Sequence, residues 1–522
     1  MTHLDDPQVF IPDLLANHAR FQPRKEAVVC GEVRRTWGDF DRNINRVANA
    51  LVAAGVGKGD KVAVLMGNCV EMLEVLFGAV RAGACVVPLS GLLTGQQLSA
   101  LIEDSGAVAA FATADFRAKL DPARDSPKTL RADLMVAVGG EAPGWREFDE
   151  FTREATDTQP LVRYELADEF NIIYSSGTTG LPKGIVQTHR ARLHWAFSNA
   201  IEMGFRDTSR ALTTTSLYSN GTWLMMLPVL FSGGTLVAMP AFDAGRFLQL
   251  VAAERITHTF MVPSQFLMVL AEPSLSGADT SSLQTILSAG SPLRRDTKRE
   301  VIERFGNKLI ELYGYSEGFA TMLKPWHPAS KFDTVGTPVL GFEIRILDDE
   351  GNDLPRGQVG EIAGYGAGIM KGYHGRPAET AKLVWRDERG RSFIRSGDIG
   401  RMDEDGFLTI VDRKKDMIIS GGFNVFPKDI EEVVGRHEAV MDVAVIGVPH
   451  EKWGETPLAL VIRKPGADAT ETQITAWANE RLGKHQRLGA VEFREEFPRN
   501  ALGKVLKKDL RGPYWEGAGT KI

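Results

Sequence analysis

Short apolar runs alternate with helical patterns along the first two thirds of the chain. Residues 62–65 and 85–87 are wholly apolar runs of the kind that forms a strand buried on both faces. Between them, residues 70–81 predict a helix, and an earlier helix is predicted behind the capping signal formed by Thr36 and Asp39. Repeated units of this kind predict a mostly parallel sheet that is covered by helices.

The pattern changes beyond about residue 335, where shorter strands and turns follow one another. The charged run 412–416 interrupts them, and a compact α+β pattern occupies the rest of the chain. A chain of 522 residues is too long for one hydrophobic core, so several domains are expected. We predict an α/β protein with a large N-terminal domain, residues 1–414, of mostly parallel sheets covered by helices plus a β-rich subdomain. A small mobile α+β C-terminal domain, residues 415–522, is predicted to follow.

Composition and charge exclude several classes of protein. The apolar content of 43% and charged content of 25% are ordinary for a globular protein, and the net charge of −6 argues against a nucleic-acid partner. Cys30, Cys69 and Cys85 lack C-x-x-C spacing, which predicts buried thiols of a reducing compartment instead of a zinc site or disulfide framework. The first residues contain no basic region followed by an apolar run, so we expect no secretory signal and a cytoplasmic location.

Residues 211–242 contain no Asp, Glu, Lys, Arg or His and therefore need a membrane test. A spanning helix needs ~20 mostly apolar residues, and Pro228, Gly233 and Pro240 interrupt this stretch. We predict a buried helix, a turn and a strand here, with no integral membrane segment. A charge-free stretch of this kind is a candidate wall for an apolar ligand pocket.

A loop rich in glycine and hydroxyl side chains follows the predicted strand at 170–173. Glycines let backbone N–H groups approach an anion, hydroxyls donate hydrogen bonds, and a lysine neutralises charge. The Walker spacing G-x-x-x-x-G-K-[ST] is not met, because Pro182 and Gly184 flank the lysine. We therefore predict that this loop binds the phosphates of ATP. The candidate binding residues are Ser175, Ser176, Gly177, Thr178, Thr179, Gly180 and Lys183.

The order of residues in 174–184 resembles the phosphate loop of the adenylate-forming superfamily. This superfamily includes acyl-CoA synthetases, aryl-CoA ligases, luciferases and the adenylation domains of peptide synthetases. The resemblance covers nearly the whole chain, because further motifs follow in the family's order. It implies one loop that contacts adenine and a second element that contacts both adenine and magnesium. In this second element, Glu317 binds Mg²⁺ together with phosphate oxygens. The other implied residues are Gly290, Ser291, Tyr313, Gly314, Tyr315 and Ser316.

Two motifs near the predicted domain boundary extend the resemblance. Asp398, in Ser396-Gly397-Asp398, supplies a carboxylate on a tight turn that suits the ribose hydroxyls of a nucleotide. By the family's motif, Arg413 contacts the ribose or phosphate. Lys415 is the implied pivot about which the C-terminal domain rotates.

The last motif lies close to the end of the sequence, at 498–507. The resemblance implies that Lys504 enters the active site and binds the carboxylate and α-phosphate oxygens. Lys504, Glu317 and Thr178 form the catalytic set that the resemblance implies. The loop after the pivot, which contains Gly421, Gly422 and Phe423, implies a channel for the pantetheine arm of coenzyme A.

Two positions depart from the family's pattern. Ser219 stands where many members carry a histidine, so that histidine's gating role does not transfer, and Phe423 stands where many relatives have glutamate. We expect the acyl pocket to be apolar and to reject dicarboxylates, because neither 211–242 nor 262–270 contains a basic side chain. The predicted wall residues are Tyr218, Ser219, Thr222 and Trp223.

The implied reaction has two steps and needs ATP, Mg²⁺ and coenzyme A. A carboxylic acid would attack the α-phosphate to give an acyl-adenylate and pyrophosphate, and a thiol would then take the acyl group and release AMP. The preferred interpretation is an acyl-CoA synthetase for an apolar monocarboxylic acid, fatty or aromatic, because no carrier domain follows in the sequence. The alternatives are an adenylating enzyme that loads a carrier protein, a luciferase-like oxidative member and a non-catalytic nucleotide-binding protein. An oligomer is compatible with each.

Overall fold

The computed structural model describes residues 8–123, 129–140, 143–174, 182–420, 423–499 and 505–516. The chain forms two compact units. Unit 1 consists of Met1–His327, Pro338–Glu343 and Tyr365–Ile394, and unit 2 consists of Pro328–Thr337, Ile344–Gly364 and Arg395–Ile522. All of 415–522 belongs to unit 2. A separate domain that begins at Lys415 stays a prediction.

The strands of the described residues are numbered in chain order. They are β1 (Glu26–Cys30), β2 (Val33–Thr36), β3 (Lys61–Leu65), β4 (Cys85–Pro88), β5 (Ala107–Thr113), β6 (Met135–Val138), β7 (Arg146–Glu147), β8 (Glu169–Tyr174), β9 (Gly184–Thr188), β10 (Arg210–Thr213), β11 (Thr235–Ala238), β12 (His258–Met261), β13 (Thr285–Ser288), β14 (Leu309–Gly314), β15 (Ala320–Leu323), β16 (Thr337–Pro338), β17 (Phe342–Leu347), β18 (Gly360–Gly366), β19 (Gly372–Tyr373), β20 (Val384–Arg386), β21 (Ser392–Met402), β22 (Leu408–Arg413), β23 (Ile418–Ser420), β24 (Phe423–Val425), β25 (Val440–His450), β26 (Gly454–Arg463) and β27 (Ala490–Phe493).

The α-helices of the described residues are numbered in the same way. They are α1 (Ile11–Phe21), α2 (Trp37–Ala53), α3 (Val70–Arg81), α4 (Gly95–Ser105), α5 (Ala114–Leu120), α6 (Phe148–Thr152), α7 (His189–Met203), α8 (Asn220–Phe231), α9 (Ala244–Ala253), α10 (Pro263–Leu270), α11 (Arg295–Phe305), α12 (Pro377–Leu383), α13 (Pro427–Val434), α14 (Glu471–Asn479) and α15 (Lys507–Trp515).

Unit 1 contains two mostly parallel sheets, as the alternating pattern predicts. In one sheet the strand order is β19-β9-β8-β4-β3-β5-β6-β7, and only the pairs that involve β9 are antiparallel. In the other sheet the strands of unit 1 run β15-β14-β13-β12-β10-β11-β1-β2, with antiparallel pairs only at its two ends. Both sheets are therefore built from βαβ connections.

Local sequence signals explain where the early helices begin. The hydroxyl of Thr36 accepts a hydrogen bond of 3.1 Å from the backbone N–H of Asp39, so the predicted cap of α2 is confirmed. The sulfur of Cys69 caps α3 in the same way, because it accepts a hydrogen bond of 3.4 Å from the backbone N–H of Met72. Both helices bury their apolar faces, and the α2 face consists of Phe40, Ile44, Val47, Ala48 and Leu51.

The charge-free stretch 211–242 forms the end of β10, helix α8 and strand β11. Pro228 lies inside α8, and most side chains of this helix are buried. The predicted helix, turn and strand are confirmed. No helix in the described part of the chain is long and apolar enough to cross a membrane.

Unit 2 contains a sheet with the order β24-β23-β26-β25, to which β27 adds by pairing in parallel with β26. Helices α13 and α14 pack against it, and the shared core contains Ile418, Ile430, Val445, Val461, Ile474 and Val491. The α+β pattern predicted for the end of the chain is confirmed for this region. Also in unit 2, β22 pairs antiparallel with the last residues of β21.

Candidate active site

Four neighbouring parallel strands of unit 1 end at the same edge of their sheet. Strands β10, β12, β13 and β14 pair in this order, with Thr213 beside Phe260, Met261 beside Ser288, and Ser288 beside Glu311. Ligands of open α/β sheets bind outside the carboxyl ends of the strands. The loops that leave these ends contain the predicted acyl, adenine and magnesium residues, so the fold brings three separately predicted motifs to one edge.

The adenine and magnesium motif leaves β14 at this edge. Gly314 pairs with Ala320 of β15, and a Cβ at position 314 would meet the carbonyl oxygen of Phe319 at 2.9 Å. This close approach requires glycine. The backbone N–H of Met370 donates to the carbonyl oxygen of Glu317 at 2.9 Å, which fixes the residue predicted to bind Mg²⁺.

Tyr373 holds the side chain of Glu317. Its phenol donates a 2.9 Å hydrogen bond to Oε1 of Glu317, while Nζ of Lys183 lies 4.9 Å from the centre of its ring. Lys183 also forms an ion pair of 2.5 Å with Glu379 of α12. Burial raises the pKa of the Tyr373 phenol, and the neighbouring Glu317 raises it further, so the phenol stays protonated and keeps donating. One aromatic ring thus joins the lysine of the predicted phosphate loop to the predicted magnesium ligand.

Strand β19 places Tyr373 there because it pairs with β9, the strand that follows the phosphate loop. Tyr373 is the register partner of Ile185, and the N–H of His374 donates to the carbonyl oxygen of Gly184 at 2.7 Å. Strand β9 also pairs antiparallel with β8. The expectation that the loop joins two strands is confirmed, and its residues Ser175, Ser176, Gly177, Thr178, Thr179 and Gly180 lie outside the described residues.

The predicted acyl residues lie in and before the first turn of α8. Tyr218 and Ser219 are partly exposed, whereas Thr222 and Trp223 are buried. The hydroxyl of Thr222 hydrogen-bonds the hydroxyl of Thr215 at 2.6 Å, and the indole of Trp223 donates to the carbonyl oxygen of Leu217 at 2.9 Å. These bonds fix the loop after β10. The wall assignment of all four residues stays a prediction.

A cation from α7 lies against this region, which the charge-free stretch did not lead us to expect. The guanidinium of Arg192 lies 4.6 Å from the centre of the Trp223 ring, and the residue is only 3% exposed. Its Nε donates to Asn171 at 2.7 Å and its Nη2 donates to Asn220 at 2.9 Å. Burial lowers the pKa of Arg192 to about 9, and the group is still protonated at neutral pH. Arg192 lies outside both 211–242 and 262–270, so the lack of basic residues in those segments does not keep a cation away from Trp223, and the apolar character of the acyl pocket stays a prediction.

In unit 2, Asp398 and Arg413, the two residues predicted to contact the nucleotide, form an ion pair. Asp398 and Arg413 are register partners on β21 and β22, and Nε of Arg413 lies 3.3 Å from Oδ1 of Asp398. Gly397 has a positive φ of +72°, and its carbonyl oxygen accepts from Lys414 N–H at 2.9 Å. Ser396, Gly397 and Asp398 all lie inside strand β21, so the tight turn predicted here is wrong, and the binding of ribose by Asp398 stays a prediction.

The predicted pivot and channel residues also belong to unit 2. Burial lowers the pKa of the Lys415 side chain, and its carbonyl oxygen accepts a 3.1 Å hydrogen bond from Arg511. Phe423 is 52% exposed and stacks on His485 with ring centres 3.9 Å apart. Gly421, Gly422 and Lys504 lie outside the described residues, so their predicted roles stay predictions.

The donor set suits Mg²⁺ as an ion shared with phosphate. In the part of the chain that the structure describes, no three His, Cys, Asp or Glu side chains cluster in a way that could hold a metal ion. Mg²⁺ needs only one or two carboxylates when phosphates supply the other oxygens. Glu317, held at its backbone and at Oε1, fits this requirement, and its binding of Mg²⁺ stays a prediction. When bound, the ion neutralises phosphate charge.

Reasoning from sequence missed Tyr373, Glu379 and Arg192. Tyr373 belongs to a two-residue strand that no periodicity indicates, and Glu379 lies on a short helix without buried residues. A signal for Arg192 did exist. Asn171 is a buried polar residue between the apolar Phe170 and Ile172, and a buried amide of this kind needs a polar partner.

The fold and these motifs define an enzyme that activates its substrate with ATP. The family model described as AMP-binding enzyme matches residues 15–374, and the model for the C-terminal domain of AMP-binding enzymes matches residues 429–504. The chain belongs to the AMP-binding enzyme family, the adenylate-forming superfamily. It is an AMP-forming acid–thiol ligase that uses ATP, Mg²⁺ and coenzyme A.

Similar proteins cover almost the whole chain. A feruloyl-CoA synthase of Amycolatopsis sp is 35% identical over 498 residues, which are 94% of this chain and 96% of the relative. The long-chain-fatty-acid–CoA ligase FadD13 of Mycobacterium tuberculosis is 32% identical over 518 residues, with coverage of 96% and 98%. The crystal structure of ATP-bound MatB from Rhodopseudomonas palustris is similar with a TM-score of 0.88 and 28% identity, covering 98% of this chain and all of that one.

Proposed function

We propose that the acid is an apolar monocarboxylic acid, fatty or aromatic. The observation that carries this proposal is the composition of the segment after β10. It has no charged residue from 211 to 242, and its partly exposed residues at the sheet edge include Tyr218 and Ser219. An apolar wall with one or two hydroxyls suits an acyl chain or an aryl ring. The relatives named after feruloyl-CoA and long-chain fatty acids agree with this class.

In the first step, a carboxylate oxygen of the acid attacks the α-phosphorus of ATP. The new bond is C(O)–O–P, and the bond to pyrophosphate breaks, so acyl-adenylate and pyrophosphate are the products. Negative charge grows on the phosphate oxygens, and fixed cations and donors stabilise it. We assign Lys183 and Lys504 as the cations, Thr178 as a donor, and Glu317 as the carboxylate that orients Mg²⁺.

In the second step, the thiol of coenzyme A attacks the acyl carbon, and the bond to the AMP oxygen breaks. The products are the thioester, AMP and the thiol proton. We propose that rotation about Lys415 withdraws Lys504 and brings Gly421 and Gly422 to the acyl-adenylate. The Asp398 carboxylate would hold the ribose in both steps. Cytoplasmic location and any oligomer stay predictions.

A dicarboxylic acid is the second candidate, and Arg192 is the observation that favours it. A buried cation beside Trp223 could bind a distal carboxylate, provided that this group reaches it. We rank this candidate second because Nε and Nη2 of Arg192 already bind Asn171 and Asn220. A distal carboxylate would then have Nη1 as its remaining partner.

Acid-dependent pyrophosphate release over matched pairs of acids tests the proposal. Octanoate against suberate and cinnamate against carboxycinnamate differ only in a distal carboxylate. We expect each monocarboxylate to have a kcat/KM at least about tenfold higher than its partner, which corresponds to about 1.4 kcal/mol. A dicarboxylate that is preferred in both pairs would show that the second candidate is correct.

A further inference from the structure

Arg192 is a buried cation that no carboxylate pairs with among the described residues. Both groups that it binds are neutral amides, those of Asn171 and Asn220. Arg81, which is buried to a similar degree among the described residues of unit 1, instead lies 2.5 Å from the carboxylate of Asp41. Burying a charge without an opposite charge is costly, so a residue that only fills the core would not need to be arginine.

We propose that Arg192 is a positioning residue for the adenylation step, which holds Ser316 and thereby sets the place of Glu317. The proposal rests on the adenylation reaction of the family. It does not depend on which carboxylic acid is the substrate. It concerns residues that all belong to unit 1 and to the described part of the chain.

The first connection runs through Asn220, at the start of α8. Its Oδ1 accepts from Nη2 of Arg192 at 2.9 Å, and its Nδ2 donates to the hydroxyl of Ser316 at 3.2 Å. The guanidinium is a pure donor, so it fixes which end of the amide faces it. The NH₂ end of Asn220 must then face Ser316.

The second connection reaches the backbone of the same residue. Arg192 Nε donates to Asn171 Oδ1 at 2.7 Å, and Asn171 is the register partner of Gln187 on β9. Side chains of register partners share one face of a sheet. Gln187 Nε2 in turn donates to the carbonyl oxygen of Ser316 at 2.7 Å. The hydroxyl of Ser316 is therefore held by an amide that binds Arg192, and its carbonyl oxygen is held by Gln187, whose register partner Asn171 also binds Arg192.

Holding Ser316 constrains Glu317, the next residue in the chain. The carbonyl oxygen of Glu317 accepts from Met370 N–H, and its Oε1 accepts from Tyr373. The peptide before Glu317 is fixed by Gln187, and the peptide after it by Met370. A carboxylate held on both sides can meet a metal ion bound to phosphate without rearrangement.

Arginine suits this place better than lysine would. Its planar fork presents five N–H donors in fixed directions, so it can bind two amides on different elements at once. A lysine keeps the charge but concentrates its donors at one nitrogen. The proposal therefore predicts that geometry, and not charge alone, supports the reaction.

The test compares Arg192→Met, Arg192→Lys and Asn220→Ala with the wild type in ATP–pyrophosphate exchange, with the acid that the wild type uses best. For Arg192→Met we expect a fall in kcat of roughly 10- to 100-fold, the usual loss when a supporting partner of a metal ligand is removed. The Mg²⁺ concentration that gives half-maximal rate should rise as well. Thioester formation from supplied acyl-adenylate should remain near the wild-type rate, and Arg192→Lys should recover only part of the loss.

Two comparisons separate positioning from core stability. Arg81→Met removes a buried arginine that binds Pro12, Asp41 and Asn45, which belong to none of the motifs, so it should lower the unfolding midpoint without changing the Mg²⁺ requirement. Asn220→Ala should raise the Mg²⁺ requirement, and adding it to Arg192→Met should cause little further loss, because both act on Ser316.

Four results would overturn the proposal. One is a folded Arg192→Met enzyme with the wild-type exchange rate and Mg²⁺ requirement. Another is an equal loss of both half-reactions. The third is an unchanged Mg²⁺ requirement in Asn220→Ala, which decides the matter if Arg192→Met does not fold. The fourth is a loss of activity toward dicarboxylates alone, which would mean that Arg192 binds substrate. If the wild type showed no acid-dependent exchange, the proposed function itself would fail.

Discussion

The phenol of Tyr373 donates a 2.9 Å hydrogen bond to the carboxylate of Glu317, 56 residues earlier in the chain. The same ring lies under the ammonium of Lys183, the lysine of the predicted phosphate loop. Two motifs that are distant in sequence therefore depend on one residue that belongs to neither. The contact gives a direct way to test whether Glu317 is the magnesium ligand.

Tyr373→Phe keeps the ring beneath Lys183 and removes the hydrogen bond to Glu317. We expect the Mg²⁺ concentration for half-maximal adenylation to rise and kcat to fall by about tenfold, the lower end of the range for supporting partners of metal ligands. Titration of Mg²⁺ in an ATP–pyrophosphate exchange assay measures both. Tyr164→Phe, which removes a 2.8 Å bond to the carbonyl oxygen of Arg81, is the matched control. An unchanged Mg²⁺ titration in Tyr373→Phe would separate this tyrosine from metal binding.

Lys504→Ala should abolish most acyl-adenylate formation while leaving thioester formation from supplied acyl-adenylate largely intact. We expect a loss of roughly 10²- to 10³-fold, the scale for removal of one donor to a developing negative charge. ATP–pyrophosphate exchange measures the first half-reaction by itself. Lys464→Ala replaces an exposed lysine of unit 2 and should have no effect. Near-normal exchange in Lys504→Ala would contradict the assignment.

Lys415→Pro should have the effect opposite to that of Lys504→Ala, because proline fixes φ at the proposed pivot. Adenylation should survive and thioester formation should fail. Lys415→Ala removes the same side chain but leaves the backbone free, so it should retain both half-reactions. Separate assays of pyrophosphate exchange and thioester formation distinguish these outcomes. Equal losses in the two half-reactions of Lys415→Pro would show that the pivot lies elsewhere.

Acid should destabilise unit 1 through His258. Burial lowers the pKa of its imidazole to about 4, from 6.5 for an exposed group. Between these values the unfolded chain binds more protons than the folded one, so stability is present above pH 6.5 and is lost as the pH falls toward 4. From pH 7 to pH 5 this residue should cost about 2 kcal/mol.

Urea unfolding at pH 7 and pH 5 measures this loss. His258→Gln should show a smaller difference between the two pH values than the wild type, whatever its stability at pH 7. His450→Gln, at an exposed position, should keep the wild-type difference. If all three proteins lose the same amount, other groups cause the acid sensitivity.

Periodicity was sufficient for the buried elements of this fold. The apolar run at 62–65 predicts β3, and the hydroxyl of Thr36 three residues before Asp39 predicts the start of α2, because both signals are local. The motifs predict that Asp398 and Arg413 both contact the nucleotide, and the structure makes them register partners, although the nucleotide contacts themselves stay predictions. These features depend on neighbours in sequence or on an ordered motif.

Contacts between distant segments could not be predicted in this way. Tyr373 reaches Glu317 only because a two-residue strand pairs with β9. Arg192 would be expected on a solvated helix face, since charged side chains are seldom buried without a charged partner. The structure instead buries it against Asn171 and Asn220. The charge-free stretch around Trp223 therefore did not reveal its nearest cation, because that cation comes from another helix.

The central claim is that the acid becomes an acyl-adenylate before it reaches the thiol. The most direct measurement uses an acid labelled with ¹⁸O in both carboxylate oxygens, together with ATP, Mg²⁺ and coenzyme A, followed by mass spectrometry of the products. Attack on the α-phosphorus leaves one acid oxygen on the nucleotide, so the released AMP should carry one ¹⁸O and the pyrophosphate none. Unlabelled AMP, or label in inorganic phosphate with ADP as the nucleotide product, would contradict the account.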